Sequence, residues 1–167
     1  DAVDDERDRA LGRLVEFFKG RDVREAVAGY RQIDLDAELS GARMALSAAG
    51  LEVTIERPSD ALEPAADALL GWILREGVTN VVRHSDGTRC SIRIRARDGE
   101  VALEIVDDGH GSRRAGPGPA SPSGSGLAGI RERVEAAGGR MEAGPPAEGG
   151  FRLLAVVPAI ASQGGSA

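Results

Sequence analysis

The segment 89–108, RCSIRIRARDGEVALEIVDD, decides the fold class of this chain. Apolar and polar residues alternate through 89–97 and again through 100–108, as they do in strands with one buried face. The Asp98-Gly99 pair between them favours a tight turn, so the two strands are predicted to form an antiparallel hairpin. A doubly wound parallel sheet needs strict alternation of strands and helices, which this segment lacks. The sheet is therefore predicted to be mixed.

Helices and further strands are predicted on both sides of the hairpin. Asp34 or Asp36 can cap a helix that runs to Ala49, and Gly50 can stop it. Pro64 can open a second helix in its first turn. The predicted order is a helix to Ala49, a strand at 51–56, a helix from about 65 to 84, the hairpin, a helix at 126–139, and strands at 140–144 and 151–158. This order predicts a two-layer α/β sandwich, with helices on one face of a mixed sheet.

The two ends of the chain differ from this central part. Residues 1–32 are charged and have apolar residues at spacings of three and four, which predicts a helical stub. Residues 33–160 form the predicted domain, and the polar residues 161–167 form a predicted disordered tail. Residues 112–125 are almost entirely Gly, Pro and Ser around two arginines, which predicts a mobile loop.

Composition excludes several classes of function. The net charge of −6 argues against nonspecific nucleic-acid binding, which depends on Lys and Arg contacts to phosphates. Cys90 is the one cysteine, so no intrachain disulfide is possible, and its place in an alternating run predicts packing within a strand. No apolar run approaches the roughly 18 residues of a membrane span. We therefore expect no membrane contact by this part of the chain. The cysteine usage fits a cytoplasmic setting, either in a protein without an anchor or in the cytoplasmic part of a membrane-anchored one.

The segment GSGLAG, residues 124–129, matches the G-x-G-x-x-G pattern of dinucleotide-binding turns. However, it follows the Gly/Pro/Ser-rich loop rather than a strand, and too little chain remains for a second βαβ half. The physical content of the pattern remains, because glycines at a helix start let backbone N–H groups approach an anion. The segment is predicted to bind phosphate, and the alternative is a flexible hinge into a helix.

A second polar cluster lies in REGVTNVVRH, residues 75–84. Glu76, Asn80 and either Arg83 or His84 share one face of the predicted helix. Oxygen ligands of this kind suit Mg²⁺, whose other ligands are waters and nucleotide phosphates, and Arg83 can pair with phosphate oxygens. The alternative is a solvated polar face. Coordination of a metal by histidine is disfavoured, because no Cys or His cluster accompanies the two histidines.

A third cluster, DDGHG at 107–111, follows the second hairpin strand. An Asp at a strand end, followed by alternating glycines, leaves a carboxylate facing a pocket while the backbone turns sharply. A buried carboxylate can accept a hydrogen bond from an exocyclic amine such as that of adenine. The alternative is an ordinary turn at the end of a hairpin.

The order and spacing of these clusters resemble the GHKL ATPase superfamily, which includes gyrase, a heat-shock chaperone, histidine kinases and a mismatch-repair ATPase. REGVTNVVRHS resembles the N box, DDGHG the first glycine box and GSGLAGIRERV the second. The last segment is typical of histidine kinases whose response regulators carry a helix-turn-helix output domain. Residues 24–53 resemble the end of the dimerisation helix in that subfamily and its continuation into the ATP-binding domain, so the resemblance covers roughly residues 22–160.

The resemblance implies an ATP-binding catalytic domain of a two-component sensor histidine kinase, with ATP and Mg²⁺ as cofactors. Asp107 is implied to accept from the adenine amine, Asn80 to ligate Mg²⁺, and Glu76 to orient or deprotonate a histidine of the partner domain. The other implied nucleotide-binding positions are Gly109 and Gly111 near the base, Arg83 and His84 near the phosphates, and Gly124, Gly126, Leu127 and Gly129 in a lid over the triphosphate.

The chain also departs from the family pattern. The phosphoacceptor box, a His followed by Asp, is missing, which implies either a dimerisation domain that these residues do not contain or a degenerate member of the family. The first is favoured, because residues 1–32 resemble a stub of the second dimerisation helix. The implied partners are that domain, a response regulator and a second copy of the full-length protein. Phe151 stands where a Thr commonly follows the last glycine pair, which is expected to weaken nucleotide binding. Gly77 within the N-box helix is expected to cost up to ~1 kcal/mol relative to Ala.

Two other functions compete with this interpretation. One is an ATP-binding switch that acts by binding a partner, and the other is an anti-sigma factor of the serine-kinase type. Anti-sigma kinases share the N box and the glycine boxes but lack the G-I-R-E-R run, so residues 131–133 count against them.

Overall fold

The computed structural model describes residues 33–110 and 124–159. The predicted stub at 1–32, the tail at 161–167, Gly111 and most of the predicted mobile loop lie outside the described residues. The elements are α1 (Leu35–Ala48), β1 (Glu52–Glu56), α2 (Pro64–His84), β2 (Arg89–Arg97), β3 (Glu100–Asp107), α3 (Gly124–Ala136), β4 (Arg140–Gly144) and β5 (Phe151–Pro158).

The five strands form one mixed sheet in the order β1-β2-β3-β5-β4. β1 runs parallel to β2, and every other neighbouring pair is antiparallel. Asp98 (φ 53°) and Gly99 (φ 77°) both have the left-handed backbone that a tight hairpin turn needs. The register of this hairpin places Cys90 opposite Asp107. The predicted mixed sheet and the two-layer α/β architecture are confirmed.

The core lies between the sheet and the three helices that cover one of its faces. Alternate residues of β2, β3 and β5 point into it, and Ile92, Leu103, Ile105 and Leu153 are fully buried there. This packing explains why position 77 is a glycine, because a Cβ there would lie 2.5 Å from Ile105 Cδ1. The glycine therefore lets α2 approach the sheet closely, which offsets its cost in helix propensity.

Capping residues set the helix ends. Asp34 accepts from the N–H groups of Asp36 and Ala37, so the first of the two predicted caps opens α1. The helix α3 begins at Gly124 and ends at Ala136, whereas the sequence predicts 126–139. Gly138 has a left-handed backbone (φ 78°), and the N–H of Gly139 donates to the carbonyl of Val134, which closes the helix earlier than predicted.

An ion pair joins α1 to α2 inside the core. Glu38 and Arg75 are 3% and 6% exposed, and their side chains meet through two parallel hydrogen bonds. Arg75 Nη2 donates to Glu38 Oε1 at 2.7 Å, and Arg75 Nε donates to Oε2 at 3.1 Å. This bidentate geometry is the strongest form of the Arg–carboxylate interaction, and it fixes how α1 lies along α2.

No helix in the described parts of the chain is long and apolar enough to cross a membrane.

Candidate functional site

Three elements meet where the sequence places its polar clusters. The C-terminal half of α2 carries the N-box residues, β3 ends at Asp107, and α3 begins with the glycine-rich segment. Ser85, directly after α2, contacts Asp107, and Glu76 on α2 lies beside Gly126 on α3. The helix α2 therefore lies against both of the other clusters, which are far apart in the sequence, at two points along its length.

Asp107 is a buried carboxylate with one oxygen occupied. It is 3% exposed, and its Oδ1 accepts from Ser85 Oγ at 2.7 Å and from the Gly109 N–H at 2.8 Å. Its Oδ2 has no hydrogen-bond partner within residues 33–110 and 124–159. An ionised carboxylate can only accept hydrogen bonds, so Oδ2 suits a ligand N–H.

Glycines crowd the backbone around this carboxylate. A Cβ on Gly109 would lie 2.8 Å from both Asp107 Oδ1 and Ser85 Oγ, so a side chain at that position would displace both groups. Gly150 has a left-handed backbone (φ 90°), and a Cβ there would overlap the carbonyl of Asp107. Phe151, the predicted departure from the family pattern, is half-buried on β5 opposite Asp107. The backbone therefore approaches Asp107 closely at two places, near its side chain at Gly109 and near its carbonyl at Gly150.

The turn after α2 (residues 85–88) and the turn after β3 (residues 108–110) are joined by hydrogen bonds to the carboxylates of Asp86 and Asp108. Asp108 Oδ1 accepts from the N–H groups of Thr88 and Arg89 at 2.8 and 2.7 Å, and Asp86 Oδ1 accepts from the N–H of His110 at 2.7 Å. Partial burial acts to raise the pKa of Asp108, but the hydrogen bonds from Arg89 and Thr88 outweigh it and hold that pKa below its ordinary value. The turn after α2 is thereby fixed to the turn after β3.

The polar face of α2 continues towards the start of α3. Glu76 is half-buried, and a Cβ on Gly126 would lie 3.4 Å from its Oε2, so the glycine brings the α3 backbone close to this carboxylate. Asn80 is half-buried one turn further along α2, while Arg83 and His84 are exposed in the last turn. A carboxylate, a carboxamide, a guanidinium and an imidazole therefore follow one another along the helix, as the sequence predicts.

Trp72 lies on α2 one turn before Glu76 and makes a second contact between α2 and α3. The Arg133 guanidinium lies 4.1 Å from the centre of the Trp72 ring, and a Cβ on Gly129 would lie 4.0 Å from Trp72 Cη2. Gly129 thus lies in the seam between the helices. Leu127 is half-buried against the hydrophobic core, and Gly124 is the first residue of α3.

Two features of this region are missed by the sequence reasoning. Ser85 follows a predicted helix end and reads as an ordinary capping residue, so nothing in its sequence position indicates a contact to Asp107. The Glu38–Arg75 pair could have been found from the sequence, because each residue is a charged position within the otherwise apolar stripe of its helix.

The described residues hold no group of three or more His, Cys, Asp or Glu side chains placed to bind a metal. The carboxamide oxygen of Asn80 is a type of ligand that Mg²⁺ uses together with waters and phosphates. The residues present fit such a site, since the exposed Arg83 and the N-terminal backbone of α3 both favour anions.

Cys90 is buried directly opposite Asp107 and is expected to be chemically inert in the folded protein. Burial, followed by the negative charges of Asp107 and Asp108, raises the pKa of the Cys90 thiol to about 12. At about pH 8, iodoacetamide is therefore expected to alkylate it only after unfolding. Mass spectrometry of the native and the urea-unfolded chain tests this, and rapid native alkylation would contradict the packing of β2 against β3.

Comparison with known proteins defines the class that this fold and site indicate. Residues 66–160, more than half of the chain, match the family described as histidine kinase-, DNA gyrase B-, and HSP90-like ATPases. The chain belongs to this family of ATPases. The resemblance inferred from the N box and the glycine boxes is thus confirmed.

Sensor histidine kinases are among its relatives. The chain is 31% identical over 139 residues to sensor histidine kinase DesK of Bacillus subtilis, covering 82% of this chain and 36% of that protein. It is 29% identical over 116 residues to YvfT of the same organism, covering 68% and 30%, and 40% identical over 79 residues to NarS of Mycobacterium tuberculosis, covering 44% and 17%. The chain thus spans about a third or less of the length of these relatives.

Solved structures support the fold. A histidine kinase domain from the blue-light activated histidine kinase of Erythrobacter litoralis EL346 matches with a TM-score of 0.57 at 16% identity, covering 92% of this chain and 73% of that one. Histidine kinase AdeS of Acinetobacter baumannii matches with a TM-score of 0.56 at 17% identity, covering 92% and 75%.

Proposed function

We propose that this chain is the ATP-binding catalytic domain of a sensor histidine kinase, which transfers the γ-phosphoryl group of ATP to a histidine of a dimerisation domain. The observation that carries the proposal is Asp107, a buried carboxylate with one oxygen occupied and one available, next to Ser85 at the end of α2. Family membership and the sensor kinase relatives support it.

Asp107 recognises the base in this proposal. Its Oδ2 accepts from the 6-amino group of adenine, while Ser85 and Gly109 keep Oδ1 in place. The missing side chain of Gly109 lets the flat base approach the backbone, and Gly111 is assigned the same role from the sequence pattern. Phe151 offers an apolar surface close to this carboxylate.

The phosphates and the cation belong to the polar face of α2 in this proposal. Asn80 ligates Mg²⁺, Arg83 and His84 contact phosphate oxygens, and the glycine-rich start of α3 offers backbone N–H groups. Gly124, Gly126, Leu127 and Gly129 are proposed to close over the triphosphate. Bound Mg²⁺ supplies charge neutralisation for the transferred group, and the protein supplies position.

Glu76 is the proposed catalytic carboxylate. It accepts the N–H proton from the other ring nitrogen of the attacking imidazole, as the new P–N bond forms at the unprotonated nitrogen, the bond to the β-phosphate oxygen breaks and ADP leaves. Its place beside Gly126 puts this carboxylate next to the proposed phosphate-binding backbone of α3. Phosphoryl transfer demands mainly positioning and electrostatics, and these residues can provide both.

The proposal implies three partners for the full-length protein. These are a dimerisation domain with the phosphoacceptor histidine, a response regulator that receives the phosphoryl group, and a second copy of the kinase. The proposed setting is the cytoplasm, where ATP is available. Relatives that are sensor histidine kinases favour this function over an anti-sigma kinase or a non-catalytic switch.

Asp107→Asn is expected to weaken binding of a non-hydrolysable ATP analogue by about 10- to 150-fold. The substitution removes the charge of the acceptor and presents an amide N–H to one of the donors around it. Calorimetric titration measures the effect, with the exposed Asp98→Asn on the distant hairpin turn as the matched control. Unchanged affinity would refute the assignment of Asp107 to the adenine amine.

Asn80→Ala is expected to abolish most of the dependence of nucleotide binding on Mg²⁺, since the variant lacks the proposed oxygen ligand. Affinity for the analogue without Mg²⁺ is expected to change less than twofold or so, because Asn80 then has no cation to hold. Titrations with and without Mg²⁺ measure both values. A variant with the full Mg²⁺ effect would show that the cation is held elsewhere.

A further inference from the structure

Ser85 joins the end of α2 to Asp107 through a fixed set of hydrogen bonds. Its N–H donates to the carbonyl of Val81 at 2.8 Å and ends α2. Its hydroxyl oxygen accepts from the N–H of Gly87 at 3.0 Å and lies 2.7 Å from Asp107 Oδ1. The Ser85 hydroxyl donates its single proton to Asp107 Oδ1, so this proton points at the carboxyl group.

These contacts make the two oxygens of Asp107 unequal. Oδ1 receives both the Ser85 hydroxyl and the Gly109 N–H, and a carboxylate oxygen has about two acceptor positions. No described residue donates a hydrogen bond to Oδ2, so this oxygen can accept one from a ligand. The carboxyl group is also prevented from rotating, because rotation would break both bonds to Oδ1.

With Oδ1 occupied and Oδ2 available, Asp107 can distinguish between purine bases. Adenine carries an amino donor at position 6, and one acceptor oxygen is sufficient to bind it. Guanine carries a carbonyl acceptor at position 6, which repels a carboxylate. Its parallel N1–H and 2-amino donors match a carboxylate only when both oxygens are available side by side, as in bidentate pairing with Arg.

We propose that Ser85 is a positioning residue that occupies Asp107 Oδ1 and thereby makes the site select 6-amino over 6-oxo purine nucleotides. The inference rests on the proposed function, since it assumes that Asp107 binds the base. Ser85 is the last residue of the N-box segment, so the same segment that carries Asn80 also sets base selectivity.

The test measures affinities of the full chain for the β,γ-imido analogues of ATP and GTP by calorimetry. Ser85→Ala is expected to weaken the ATP analogue by about 5- to 20-fold and to lower the ratio of ATP to GTP affinity at least about fivefold. Ser85→Thr keeps the hydroxyl and is expected to restore the ratio. Ser91→Ala, a half-buried serine on β2 whose neighbours Cys90 and Ile92 face the core, is the matched control.

The outcomes separate the inference from the proposed function. Wild-type chain that binds neither analogue contradicts the proposed function itself. Wild-type chain that prefers the ATP analogue, with the same preference in Ser85→Ala, overturns only the role of Ser85. A purely structural role predicts equal loss of affinity for both analogues and an unchanged ratio. If Ser85→Ala does not fold, Ser85→Cys keeps the bulk with a much weaker donor, and an unchanged ratio in that variant also refutes the inference.

Discussion

A Glu76→Gln variant is expected to phosphorylate a histidine-bearing dimerisation domain, supplied in trans, about 100- to 10,000-fold more slowly than the wild-type chain. The amide cannot accept a proton from the attacking imidazole, and this range is the usual contribution of a general base. Affinity for the ATP analogue is expected to stay close to that of the wild type, because the size and the hydrogen-bonding reach of the side chain are nearly preserved. Single-turnover transfer of labelled phosphate measures the rate, and calorimetry measures the affinity.

Glu132→Gln is the control for this experiment, because Glu132 is an exposed glutamate on α3 with no assigned role. It is expected to transfer phosphate at the wild-type rate. A Glu76→Gln rate within about threefold of wild type, a difference of less than 1 kcal/mol in barrier, would remove Glu76 from the catalytic role. A parallel loss of rate and affinity would instead assign Glu76 to nucleotide binding.

A Glu38→Ala variant is expected to lose about 3–5 kcal/mol of unfolding free energy, because it leaves the Arg75 guanidinium buried without its bidentate carboxylate. Both side chains lie deep between α1 and α2, where they are almost fully buried. Urea denaturation, followed by circular dichroism, measures the loss. Glu135→Ala, at an exposed position on α3, is the control and is expected to stay within about 0.5 kcal/mol of wild type.

A variant with both Glu38 and Arg75 replaced tests the cause of this loss of unfolding free energy. Replacing both partners by methionine removes the buried charges together, and it is expected to recover most of the stability that Glu38→Ala loses. Recovery would assign the loss to an uncompensated charge rather than to a missing contact. A Glu38→Ala variant as stable as wild type would mean that water reaches Arg75, contrary to the burial seen here.

The sheet and the helices are predictable from the sequence because their signals are local. Alternation and the Asp98-Gly99 turn define the hairpin, and Pro64 and Gly50 mark helix ends within a residue or so. The start of α3 is placed two residues late, because Gly124 has a low intrinsic helix propensity and reads as part of the preceding loop. Packing against α2 supplies what that propensity lacks.

The candidate site is predictable only in part. Periodicity on α2 puts Glu76 and Asn80 on one face, and the position of Asp107 at a strand end implies a pocket. The bonds that hold the pocket are long-range in sequence, such as Ser85 to Asp107 and Asp86 to His110. No local pattern reports them, because they depend on how the end of α2 meets the end of β3.

We propose that this domain binds ATP through Asp107 and Mg²⁺ through Asn80. Calorimetric titration of the chain with a non-hydrolysable ATP analogue, with and without Mg²⁺, tests both assignments. We expect binding in the micromolar range that strengthens when Mg²⁺ is present. No binding at millimolar analogue, in either condition, would refute the proposal and would leave a chain with the fold of these ATPases but without their nucleotide site.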